Sequence, residues 1–89
     1  MITTVVLRDV NGTPQYADGA EIPVLSLFSK ESTILISPGF YEDIEQILIS
    51  PAILTTGSLL KVSTDIFRIV KRNVSKLGRN QYYLQRKSK

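Results

Sequence analysis

Leu59-Leu60-Lys61-Val62-Ser63-Thr64-Asp65-Ile66-Phe67-Arg68-Ile69-Val70-Lys71-Arg72 is the stretch that decides the fold. β-branched, aromatic and leucine residues fill both ends of it, with a polar Ser-Thr pair between them. That pattern predicts a strand over Leu59–Val62, a short turn, and a second strand over Asp65–Arg72. A polar connection containing Gly78 follows, and then an aromatic run predicts a third strand over Gln81–Lys87. Along the second strand, alternation puts Ile66, Arg68, Val70 and Arg72 on one face and Phe67, Ile69 and Lys71 on the other. Both faces start apolar and end charged. Such a strand begins in a core and runs out of it.

Working outward, the rest of the chain has the same texture of short apolar runs broken by turn residues. Thr3–Arg8 predicts a first strand and Asn11-Gly12 supplies the positive φ of a tight turn. Gln15 and Tyr16 begin a short return strand before the Ala17–Ala20 loop. Glu21–Ser29 predicts a longer strand in which Pro23, which cannot donate to a ladder, marks an edge or a bulge. Ile34-Leu35-Ile36-Ser37-Pro38 and Ile47-Leu48-Ile49-Ser50-Pro51 are near copies, read as two short strands that each end at a proline. Between them Phe40, Ile44, Ile47 and Leu48 fall at helical spacing, so this region is either a short helix or a loop. A loop leading into a strand over Glu45–Ser50 is the preferred reading. The expectation is an all-β chain forming a single domain.

Composition limits what such a domain does. With 89 residues it buries only about 60–65% of its unfolded surface, which gives modest stability on its own. The chain has no cysteine and no histidine, so disulfides, thiolate chemistry and the usual general base are excluded. Glu42, Asp43 and Glu45 form the one local acid cluster, and the better reading of it is a solvated acidic loop. The five glycines are scattered and none opens a phosphate-binding loop. The expectation is therefore a non-enzyme with no cofactor and no metal. No apolar run approaches the ~20 residues of a membrane span, and no basic region leads an apolar stretch at the N-terminus, so no membrane partner and a cytosolic setting are expected.

Charge is divided along the chain. Residues 61–89 hold nine Lys and Arg against one acid, whereas residues 1–60 hold two against seven. Arg68, Lys71, Arg72, Lys76, Arg79, Arg86 and Lys87 are the candidate basic surface. Three readings stand beside one another for it: a solvated edge that resists aggregation, a surface near a phosphate backbone, and a protein interface. Tyr82 and Tyr83 would add base stacking in a single-strand binder of the oligonucleotide-binding or SH3-like type.

The order of these elements resembles the C-terminal half of head-closure proteins of long-tailed bacteriophages, also called stopper or head-completion proteins. The residues that carry the resemblance are Ile53–Ser58 with its glycine, Leu59–Val62, Phe67–Val70, Lys76-Leu77-Gly78-Arg79 and Tyr82-Tyr83-Leu84. Gly57-Ser58 stands where that family often has Gly-Asp. The resemblance implies a small β-barrel of short antiparallel strands spanning 1–89, with a mobile loop or short helix inserted over about 37–46 and a tail at 88–89. It implies a structural protein of the virion neck, assembled in the host cytoplasm. Its partners would be copies of itself in a ring, the portal and adaptor ring, tail proteins, and double-stranded DNA passing without sequence specificity. The candidate channel-facing or tail-facing loop is then Ser37, Pro38, Gly39, Phe40, Tyr41, Glu42 and Asp43. Another tail-completion or tail-terminator protein is the neighbouring alternative.

Overall fold

Seven strands form one antiparallel sheet in this computed structural model, which describes residues 2–10, 13–17, 21–75 and 77–87. They are β1 (Ile2–Val10), β2 (Thr13–Ala17), β3 (Ser26–Ser37), β4 (Phe40–Ser50), β5 (Leu59–Val62), β6 (Asp65–Val74) and β7 (Asn80–Arg86). Their order across the sheet is β2-β1-β5-β6-β7-β4-β3. The all-β expectation holds. No helix occurs among the described residues. The Asn11-Gly12 turn, residues 18–20, Lys76 and the tail at 88–89 lie outside them.

The three C-terminal strands form where the alternation places them. Val62 pairs with Asp65 across a two-residue turn, so Ser63 takes a positive φ of 58°. One feature of β6 departs from simple alternation. Ile69 faces Leu84 but Lys71 faces Tyr83, leaving Val70 as a bulged extra residue. A bulge reverses which side the following residues face. Arg72 thus lies opposite Tyr82, on the same side as Ile69, and not on the Arg68 face as alternation predicts. Ile69 and Val70 are both buried for the same reason, each in a different apolar cluster.

The larger cluster joins Ile2, Ile22, Leu48, Leu60, Phe67, Ile69, Tyr82 and Leu84. The smaller joins Ile44, Ile47 and Val70, with Ile34, Ile36 and Tyr83 packed against it. Burial on both sides erases strict alternation in β4, which explains its resemblance to a helical repeat. The expected loop or short helix over 37–46 is accordingly replaced by strand. Only Pro38 and Gly39 lie outside the two strands there, since Ser37 pairs with Phe40. Proline at the first turn position and Gly39 at φ 82° match a type II turn.

The sheet does not close into the expected barrel. β3 and β2 stand at its two ends. Residues Glu21–Leu25 span the gap between them and the core, touching β1 through a single bridge, Thr3 to Glu21, and through the Ile22 amide on the Ile2 carbonyl at 3.0 Å. Leu25 then donates to Ile49 on β4. Pro23 sits between these contacts and has no N–H, so no continuous ladder can run through this segment.

From β4 the chain must cross β7 and β6 to reach β5, and residues 51–58 make that crossing without strand structure. Ala52 and Leu54 pack on the larger cluster, so the backbone polar groups beside them need partners. Three buried side chains supply them. The Tyr82 hydroxyl donates to the Ala52 carbonyl at 2.5 Å and accepts the Leu54 amide at 2.8 Å. The Ser50 hydroxyl accepts the Ala52 amide at 3.0 Å and donates to the Pro23 carbonyl at 2.6 Å. The Asn80 amide donates to the Ala52 carbonyl at 3.1 Å. The crossing then lands on β6 through Gly57 N–H to the Ile69 carbonyl and Ile69 N–H to the Ser58 carbonyl.

Replacing Tyr82 by Phe keeps the ring but leaves the Leu54 amide without its acceptor. The unfolding free energy is expected to fall by about 1–3 kcal/mol in urea denaturation. A change below about 0.3 kcal/mol would show that water replaces the hydroxyl at no cost and that the tie is dispensable.

Candidate assembly surface

The Ser37–Asp43 segment is the tip of the β3–β4 hairpin, and local sequence fixes its shape. Two register shifts in β3, between Ser29 and Ser32 and between Leu35 and Ser37, each give that strand an additional residue. Bulges of this kind bend and coil a ribbon. The distal half of the hairpin is tied to β6 and β7. Lys71 Nζ donates to the Leu35 carbonyl at 3.2 Å. Gln85 Nε2 donates to the Glu42 carboxylate at 2.8 Å and to the Asp43 carbonyl at 3.0 Å. Arg68 lies 3.7 Å from Glu42, and Thr33 donates to the Asp43 carboxylate at 2.6 Å.

Above these ties the tip presents large apolar side chains to solvent. Phe40 is 69% exposed and Tyr41 64%, with Leu35 beside them at 47%. Scattered exposed apolar residues need no explanation, but here Leu35 and Tyr41 pair across the hairpin and Phe40 follows at its end, so the braced tip leaves apolar surface available for contact.

The seven basic candidates do not form one patch. Arg68 and Arg86 are neutralised within the chain. Arg86 meets Asp65 at 2.7 Å and Glu45 at 2.9 Å and lies over the Phe67 ring, 5.0 Å from its centre. Hydrogen bonds that it donates to Asp65 first and Glu45 second hold its guanidinium above its ordinary pKa. These acids include Glu42 and Glu45 from the first sixty residues, brought beside the basic strands because β4 neighbours β7. Charge that is divided along the sequence is therefore partly paired in space. Half-exposed pairs of this kind are screened by water and add little to stability.

The remaining candidates are spread out. Lys71 faces the hairpin, and Lys87 follows the end of β7 with its amide on the Ile66 carbonyl. Lys76 is outside the described residues. Arg72 and Arg79 lie at the opposite end of the sheet, where Arg72 donates to the Asn80 side-chain oxygen at 3.3 Å. Arg72 Nε is buried without a partner among the described residues. Arg79 is exposed and forms no ion pair there.

Tyr82 is fully buried and its hydroxyl is committed to the crossing, so it has no face to offer a base. The Tyr83 hydroxyl is bonded to Asn73 and Gln81. The stacking pair that a single-strand binder would need is absent from the described surface. No cluster of three metal-ligating side chains occurs among the described residues, and no helix there is long and apolar enough to cross a membrane.

Two features escaped the sequence reading. One is the buried trio Ser50, Asn80 and Tyr82, whose only signal was Ser50-Pro51 at the end of an apolar run. The other is a second apolar end, formed by Ile53, Val74 and Leu77, exposed at 79%, 66% and 81%. Leu77 in a turn otherwise made of Ser, Lys, Gly and Arg was its signal.

The chain matches no family model, and no curated protein and no solved structure is similar to it. The resemblance to head-closure proteins rests on the strand pattern quoted above.

If Phe40 and Tyr41 serve contact and not folding, changing both to Ser leaves the unfolding free energy within about 0.5 kcal/mol of the parent chain. Chemical denaturation checks this. A loss above about 1.5 kcal/mol would mean that the two rings pack within the domain.

Proposed function

We propose that this chain is a structural assembly subunit of the head-closure type, a component of the neck that joins a phage head to its tail. The observation that carries the reading is the braced hairpin tip with Phe40 and Tyr41 bare at its end. A small single-layer domain with so much apolar surface outside its core is suited to burying it against partners. The strand–glycine–strand–turn–strand series over 53–84, which carries the resemblance, corresponds to the crossing and β5–β7. The paired charges of Arg68 and Arg86 leave a surface that suits protein contacts better than a continuous phosphate-binding stripe. In this reading the hairpin tip faces a ring neighbour, the channel or the tail, and the chain carries out no chemistry. Double-stranded DNA would pass near Arg72 and Arg79 without being read.

The test is a particle experiment. Particles from a genome encoding this chain, with its reading frame interrupted, are expected to package DNA, leak it, and carry no tails. Electron microscopy and DNA retention assays read both outcomes. Tailed particles that hold their DNA in the absence of the chain would refute the assignment.

A further inference from the structure

The end of the molecule opposite the hairpin tip is apolar, and the segments that build it carry no acid. The ladders bring Val74, Asn80 and Ser50 side by side there, at the finish of β6, the start of β7 and the finish of β4. Leu25 joins them through its amide on the Ile49 carbonyl, and the crossing departs from the same place. Val24, Leu25, Ile53, Val74 and Leu77 are all exposed at this end, Ile53 and Leu77 most of all. Leu77 lies in the β6–β7 turn, whose backbone is closed on itself. The Ser75 amide donates to the Arg79 carbonyl at 3.1 Å, and the Leu77 amide to the Ser75 hydroxyl at 3.4 Å. Residues 22–30, 46–64 and 66–89 supply these elements and contain no Asp or Glu. The nearest acid along the chain, Glu21, is held at β1 by its bridge to Thr3. Arg79 forms no ion pair among the described residues, and the Arg72 guanidinium donates to the neutral Asn80 side chain. Unlike Arg68 and Arg86, these two keep their charge. Arg79 and Ser75 also line a shallow cavity of about 290 Å³ with Ile49, Asn73, Val74 and Gln81.

We infer that this end docks on an anionic phospholipid surface, with Leu77, Val74 and Ile53 entering the headgroup layer and Arg79 against a lipid phosphate. Bases set beside protruding aliphatics fit a negative surface that has apolar carbon directly beneath it. A folded protein partner fits less well. Protein interfaces are anchored mostly by Trp, Tyr and Arg in matched pockets, and Leu and Val are under-represented among their anchors. None of the five exposed side chains is aromatic, and they stand on three separate segments. A fluid interface closes around such points without a matching shape. The turn's own hydrogen bonds help as well, because two amides that would enter the interface with Leu77 already have acceptors. A nucleic-acid backbone would meet the bases but leave Leu77 and Ile53 in water. The hairpin tip is the counter-case, since its exposed aromatics lie beside Glu42 and Asp43, which an anionic surface repels. Docking of this kind needs no spanning segment, so the lack of a long apolar run does not bear on it. The contact is independent of the neck reading and uses neither the tip nor a ring.

The experiment mixes the full chain with sucrose-loaded vesicles of equal parts phosphatidylglycerol and phosphatidylcholine, sediments them and measures the bound protein. The parent chain is expected to bind at low salt, to release as salt rises, and to ignore vesicles of phosphatidylcholine alone. L77S keeps every charge and is expected to weaken binding about fivefold, and R79E about tenfold. F40S/Y41S leaves binding unchanged. The chain has no tryptophan, so L77W reports position directly. Its emission shifts to the blue on the anionic vesicles, whereas that of F40W does not. A parent chain that stays in the supernatant overturns the inference and leaves this end to a protein partner. Binding that R79E weakens and L77S leaves intact also overturns it, because that is adsorption of a basic protein without insertion. Binding lost in F40S/Y41S but kept in L77S places the contact at the tip and overturns it as well. Circular dichroism checks the fold of each variant, and binding retained by L77W shows that position 77 tolerates replacement. Vesicle binding and the particle experiment read different ends of the molecule, so either proposal can fail while the other stands.

Discussion

The fold depends on the buried hydrogen bonds by which Tyr82, Ser50 and Asn80 hold the crossing from β4 to β5. A segment without strand structure that lies over an apolar cluster has no ladder to satisfy its backbone, and each polar group left bare would cost about 1–3 kcal/mol. With the Ala52 and Leu54 groups satisfied, the chain passes over β7 and β6 and places β5 on their far side. The β1 ladder then forms on β5, and Ile2 reaches the core. The same crossing takes the place of a second layer over the larger cluster. A sheet of this size has little else with which to cover itself.

Bulges do the remaining shaping. Val70 in β6 lets consecutive residues enter two different clusters, and the two irregularities in β3 coil the hairpin so that its distal half is tied to β6 and β7. The result is a braced tip at one end of β4 and the crossing at the other. Both ends are apolar at the surface because the core is too small to absorb every large side chain. The link from fold to function runs through this shortage. What the domain leaves unburied is what an assembly would bury.

Much of this was readable from residues alone. β5, β6 and β7 were visible within a residue or two because a two-residue turn between β-branched runs, and an aromatic run after a polar connection, have few other interpretations. β4 was only half visible, since a strand buried on both sides loses its alternation, and Phe40, Ile44, Ile47 and Leu48 then mimic a helix. The barrel was expected from family likeness, whereas β2 and β3 stand as the two ends of an open sheet. The segment Ser37–Asp43 was expected to be a loop, and only Pro38 and Gly39 lie outside the strands there. The basic surface was the least readable part. Strand order sets which acids lie beside which bases, and no local pattern encodes it. A single bulge also moved Arg72 to the other face, and bulges leave almost no trace in composition.

Residue-resolved hydrogen exchange at low and high protein concentration tests the account most directly. The account predicts that the Leu54 amide, though outside any strand, exchanges as slowly as the central amides of β6 and β7 at both concentrations. Rapid exchange at Leu54 would contradict it.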